Sequence, residues 1–269
     1  MASLTKIIVP LDGGPEHQTA IAIAAQLAAR AGARVELLTV ASPGMVDYDS
    51  AEMGEIAHES RGEFGEEFDA RTLEAAGPIA GQLAAVAGEA GHLLCLSSTA
   101  RPAIVEAVTG SVAGDLIRAA AVPIVVVGPE CDTTWRGSLL AIAVDGSEPA
   151  ETIVEPAVEL AVALGLTPRL CQIAPEDGQP LADDLFDTAY VARLAGEARR
   201  PGITVDFDVL HSASPGDALV ELSRDDEVAL IAMTTHGRRP LRRLATPSLL
   251  QRVLRHAACP LLVGLRRED

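Results

Sequence analysis

The sequence predicts an α/β protein made of two tandem copies of one unit, each an open parallel sheet with helices on both faces. Three observations predict it. The two halves repeat at a nearly constant offset, which marks an internal duplication. Apolar runs of strand length alternate with longer stretches whose apolar residues recur at helical spacing. Of the 269 residues, 48% are hydrophobic and only 3% aromatic, as suits aliphatic strands packed between small-residue helices. A chain of this length has room for two domains with a core each.

Taken in order, the first copy opens on Ile7, Ile8 and Val9 and reaches Asp12-Gly13; the second opens on Leu139 and reaches Asp145-Gly146. A helix follows in each, running to Gly32 and to Gly165, where glycine supplies the left-handed stop. Both pairs, Asp12 with Asp145 and Gly32 with Gly165, stand 133 residues apart. The second strands are predicted over 35–40 and 169–173. After them come the acidic stretches 42–66 and 174–200, which differ most between the copies. Their aliphatic anchors are sparse against the entropy of ordering, so they are expected to be the most mobile parts.

The third strands are predicted over 68–73 and 205–210, the latter alternating Val205, Asp206, Phe207, Asp208, Val209 as a half-exposed strand does. Gly77-Pro78 and Ser214-Pro215 then open a helix, proline suiting its first turn. The offset is now 137. It holds through the fourth strands at 93–96 and 230–233, through Ser111 and Ser248, and through Val122-Pro123 and Cys259-Pro260. Fifth strands follow at 124–127 and 261–263. Each copy reads β-α-β-α-β-α-β-α-β, and strands this apolar belong to a parallel sheet covered on both faces. Proline, polar residues and Trp135 interrupt the pattern at about 129–136, giving domains 1–130 and 136–269.

Charge narrows the partners. The net charge of −17 argues against nucleic acid, because phosphate attraction needs a basic face. Residues 1–133 carry 7 basic against 18 acidic side chains and residues 134–269 carry 14 against 20, so the basic residues gather in the second half. No apolar run approaches the roughly 20 residues of a spanning helix, and the start runs straight into a strand instead of a signal peptide. Cytoplasmic location without membrane contact is the expectation. Cys95, Cys131, Cys171 and Cys259 show neither a CxxC pair nor metal-ligand spacing, so they are expected to be buried reduced thiols, with no metal site.

In an open parallel sheet the ligand crevice lies beyond the carboxyl ends of the strands, where chain order reverses. The Asp-Gly loops end there, and so do the loops after the fourth strands: 97–111 in the first copy and 234–248 in the second. The second of these contains Thr235-His236-Gly237-Arg238-Arg239-Pro240-Leu241, and further on Arg252-Val253-Leu254-Arg255-His256-Ala257-Ala258-Cys259-Pro260. These segments resemble the universal stress protein family. Its nucleotide-binding members have an Asp after the first strand and, after the fourth, a Gly, two residues, a Gly, nine residues, then Gly followed by Ser or Thr.

The resemblance implies Rossmann-like domains of strand order 3-2-1-4-5 packed as an internal pseudo-dimer. The last strands, 124–127 and 261–263, are short, apolar edges suited to pair across the pseudo-twofold. It also implies an adenine nucleotide such as ATP as ligand. Mapped onto this chain, the first copy keeps Asp12, Gly110 and Ser111 but has Ser97 and Ala100 at the two earlier glycine positions. The second keeps Asp145, Gly237 and Ser248 but has Thr234 and Pro247 at the others. Neither motif is complete. An Asp at the crevice accepts hydrogen bonds from an adenine amino group or ribose hydroxyl, glycines admit phosphates to backbone N–H groups, and Gly-Ser at a helix start adds an anion site. ATP is expected to be weak or absent in the first copy and to favour the second, where Arg238 and Arg239 flank Gly237.

Other readings of the same residues stand beside this one. The Asp-Gly pairs also serve as turn and cap chemistry, Arg238, Arg239, Arg242 and Arg243 also make a solvated helical face, and His236 and His256 lack the neighbours of a catalytic histidine. The expected function is a non-enzymatic stress-adaptation or regulatory role with adenine-nucleotide sensing and an unidentified protein partner, as this pseudo-dimer or a homodimer. A weak ATPase or nucleotide-transferring enzyme is the alternative, though no Walker lysine motif or paired catalytic carboxylates are present. A scaffold with no ligand is the other.

Overall fold

Lys6–Pro10 is a strand because its middle is branched and aliphatic on consecutive positions, which only an element buried on both faces tolerates; Ile7, Ile8 and Val9 are fully buried. This strand, β1, is the middle of the first unit. The computed structural model describes residues 4–11, 17–41, 48–74, 78–98, 123–174, 188–234 and 249–264. The chain divides into two units, Met1–Pro129 and Glu130–Asp269.

In the first unit β1 is followed by α1 (His17–Ala31), β2 (Arg34–Ala41), α2 (Ser50–Phe64), β3 (Phe68–Glu74), α3 (Ile79–Ala87), β4 (His92–Ser97) and β5 (Ile124–Val127). The strands run parallel in the order β3-β2-β1-β4-β5. Helix α1 covers the sheet with a face of alanine, isoleucine and leucine from Ala20 to Ala28, and Gly32 ends it at φ 64°. Among the described residues of this unit one charged side chain, Glu36, is buried, and its carboxylate meets Lys6 Nζ at 2.7 Å.

The second unit holds β6 (Leu139–Val144), the short α4 (Glu148–Glu151), α5 (Val154–Leu164), β7 (Thr167–Ala174), α6 (Thr188–Ala198), β8 (Asp206–His211), α7 (Pro215–Leu222), β9 (Val228–Thr234), α8 (Leu249–His256) and β10 (Leu261–Gly264). Its parallel order is β8-β7-β6-β9-β10. The strand order 3-2-1-4-5 thus recurs in both units. Gly165, 133 residues after Gly32, stops α5 at φ 66°.

The copies differ where prolines differ. The single helix expected after Asp145 is two, α4 and α5, because Pro156 has no N–H to give the Thr152 carbonyl one turn back; the ladder breaks at Thr152–Ile153, whereas α1 carries no proline and is continuous. Pro215 occupies the first turn of α7, capped by Ser214, whose side chain accepts from Asp217 N–H. Pro78, by contrast, stands one position earlier, as the N-cap of α3, with no side-chain cap. The acidic stretches expected to be most mobile each contain a helix. Helix α2 starts on a full capping box: Asp49 accepts from the amides of Ala51 and Glu52 while Glu52 accepts from Asp49 N–H. Helix α6 buries Val191, Leu194, Ala195 and Ala198 at helical spacing. The fourth helix of the first unit falls outside the described residues.

Candidate functional site

The only candidate residue among the described ones is Asp145. Asp12, Gly110, Ser111, Gly237, Arg238 and Ser248 lie outside them, as do His236 and the remaining arginines of the 238–243 run. β6 stands in the middle of its sheet, and the chain leaves it first towards β7 on one side and later returns to β9 on the other. Its carboxyl end is therefore the switch point of the unit, and Asp145 is the next residue. The carboxylate is half-buried there.

The local chain holds Asp145 firmly. Gly146 turns at φ 77°, and Asp145 Oδ1 accepts from Ser147 N–H at 3.0 Å and from Ser147 Oγ–H at 2.5 Å. Ser147 Oγ in turn accepts from Ala150 N–H at 3.3 Å, capping α4. The turn-and-cap reading of Asp-Gly is thus realised in the second unit, with the carboxylate oriented at the switch point by the same contacts.

Helix α6 closes on this loop from the β7 side. The Tyr190 hydroxyl donates to Glu151 Oε1 at 2.8 Å. Burial, the Glu151 contact and the Asp145 charge together raise the phenol above its ordinary value, so it stays a donor. Arg193 lies 5.6 Å from the Tyr190 ring centre and also binds Glu197 at 2.7 Å. In the first unit Tyr48 plays a similar part: its hydroxyl sits 3.4 Å from His17 Nδ1 at the start of α1, with the rings edge to face. Sequence reasoning missed both. Its signal was rarity, since the chain has just two tyrosines and each joins the segment beyond a second strand to the first helix of its own unit.

Two further positions are placed. Ser97 and Thr234, which stand at the first glycine position of the motif, are the last residues of β4 and β9, and both are buried. Their side chains therefore end strands and lie within the packed layer. His256 Nδ1 meets Glu130 Oε1 at 2.8 Å on the surface. All four cysteines are buried, and none is joined in a disulfide. Burial pushes the Cys131 and Cys171 thiols up to about 12 and raises Cys259 as well, so each is a protonated thiol at neutral pH. Among the described residues no cluster of three histidine, cysteine or acidic side chains is arranged for a metal, and no helix is long and apolar enough to cross a membrane.

The family model described as Universal stress protein family matches this chain twice, over residues 3–128 and 140–264. A universal stress protein from Archaeoglobus fulgidus superposes with a TM-score of 0.64 at 14% identity, covering 97% of this chain and 98% of its own. A Pseudomonas aeruginosa protein described as functionally unknown gives 0.57 at 16%, covering 98% and 93%. At such identities the likeness is one of fold. No curated protein is similar enough to this chain to count as a relative.

Proposed function

The chain belongs to the universal stress protein family, and from that membership we propose that it is a non-enzymatic cytoplasmic regulator that binds an adenine nucleotide, ATP in the first instance, at its second unit. The observation that carries this reading is the placement of Asp145, half-buried at the carboxyl end of the middle strand where chain order reverses. A carboxylate there accepts from a ribose hydroxyl or an adenine amino group. β9 ends at Thr234, and the segment beyond it carries Gly237, Arg238 and Ser248, the residues that the resemblance assigns to the phosphates. In the first unit Asp12, Gly110 and Ser111 remain, but Ala100 restricts the backbone where glycine is wanted and the acidic excess of that half opposes a polyanion.

Affinity is modest on this reading. Pro247 offers no N–H where the motif supplies one, a loss of roughly 1–3 kcal/mol if the bond is not replaced, or about one to two decades. A second reading, a ligand-free scaffold for a protein partner or a second copy, is favoured by one contact: Ser147 already engages Asp145 Oδ1 through both its N–H and its hydroxyl. Calorimetric titration of ATP decides between them. Binding weakened about tenfold or more by Asp145→Ala, tightened by Pro247→Gly and indifferent to Asp12→Ala is the expected result. Binding that ignores Asp145 and disappears in Asp12→Ala overturns the assignment, and no heat at millimolar ATP leaves the scaffold.

A further inference from the structure

The first residues of the second unit lie along it as a strap. Glu130 meets His256, Arg136 bridges Asp132 at 2.8 Å and Asp226 at 3.2 Å, and the carbonyl of Glu227 accepts the N–H groups of Ser138 and Leu139. Between these anchors the Asp132 N–H donates to the Ala258 carbonyl at 2.8 Å, tying the strap to the turn that leads into β10. Cys131 comes immediately before Asp132, and Cys259 immediately after Ala258. Each cysteine's Cα stands beside the hydrogen-bonding atom of its own peptide unit, so that one bond holds the two Cα atoms roughly 5–7 Å apart, against the roughly 4.4–6.8 Å that a disulfide spans. The thiols also sense one another: after burial, Cys131 is the next cause raising Cys259.

We propose that Cys131 and Cys259 form an intramolecular disulfide on oxidation by hydrogen peroxide, a reversible lock that fastens the strap to the entry of β10. While the strap is docked both sulfurs are buried, and the Cys131 thiol is pushed up to about 12 by burial and by Asp132, so reaction waits on opening. The strap's side-chain anchors are largely exposed ion pairs, each worth about 0–1 kcal/mol, and a segment held this way opens locally far more often than the sheet. Released, the Cys131 thiol returns towards its ordinary value and supplies thiolate.

That thiolate attacks a peroxide oxygen. The O–O bond breaks, an S–O bond forms, and the departing hydroxide takes the thiol proton to become water, leaving a sulfenic acid. On redocking, the Cys259 sulfur attacks the sulfenyl sulfur. The S–O bond breaks, and hydroxide leaves with the Cys259 proton as a second water. One peroxide and two thiols become one disulfide and two waters, and a dithiol restores the start. The new bond encloses nearly all of the second unit, a loop long enough for the cross-link to restrict the unfolded chain strongly.

The test uses the purified full-length chain treated with hydrogen peroxide, alkylated, and mapped as peptides without reduction. Two of the four thiols should resist alkylation and a Cys131–Cys259 peptide should appear, both reversed by dithiothreitol, with the melting temperature raised by about five degrees or more. Cys131→Ala and Cys259→Ala should each abolish the cross-link and the shift, while Cys95→Ala keeps both. Should Cys259→Ala fail to fold, Cys131→Ala, on the strap, carries the same comparison. Four alkylatable thiols after a peroxide dose that oxidises a free-cysteine peptide, or a cross-link joining another pair, overturns the proposal.

Discussion

Single residues fix the close approaches on which the second unit depends, and two glycines show how different their reasons are. A Cβ on Gly137 would stand 2.2 Å from the Glu227 carbonyl oxygen and 2.4 Å from its carbon, at φ 70°. At Gly165 the backbone is equally left-handed, φ 66°, but nothing lies within 4 Å of such an atom. Gly165→Ala should therefore cost about 1 kcal/mol, the left-handed penalty alone. Gly137→Ala adds displacement of backbone that already accepts two amides and should cost about 3 kcal/mol or more. Denaturant midpoints compare them directly, and equal losses would refute the packing argument. The sequence marks Gly165 as a helix stop by its position after an apolar helix. It gives no hint of Gly137, whose constraint comes from Glu227, ninety positions away in the chain.

Among the elements, the helices of the acidic stretches are those whose bounds and anchors the sequence pattern specified least. The 42–66 stretch reads as poor in anchors because its aliphatic residues are sparse among Gly, Asp and Glu. Helix α2 nevertheless buries Met53 and Ala57 and begins on the reciprocal Asp49 and Glu52 bonds. Where burial is sparse, capping becomes a larger share of what holds an element. Asp49→Ala should cost about 1 kcal/mol and speed hydrogen exchange at the amides of Ala51 and Glu52, while Glu52→Gln, which still accepts from Asp49 N–H, should cost far less. Exchange unchanged by Asp49→Ala would show that packing alone sets the start of α2. The box was legible as an Asp three residues before a Glu, but two such letters are common, and what singles them out is the strand–helix–strand frame around them.

At the scale of the whole molecule, the two units each contain a complete five-stranded parallel sheet with its own helices. Produced alone, residues 130–269 should melt in one cooperative transition, since a unit of this size encloses a core; a chain that shows helical signal without a cooperative transition would contradict this. The sequence by itself determined the duplication, the α/β class, the strand segments and the loop that carries Asp145, while the family resemblance supplied which strand is the middle one. Those features are written in local periodicity and in a nearly constant offset, which require no knowledge of what lies across the sheet. Tertiary structure alone decided that Tyr190 reaches Glu151 beside that loop, that Gly137 must lack a side chain, and that Cys131, in a stretch read as a linker, is buried and faces the segment of Cys259. Each of these depends on a partner 39 to 128 positions away, and a contact between distant residues leaves no periodic trace in either of the segments that make it.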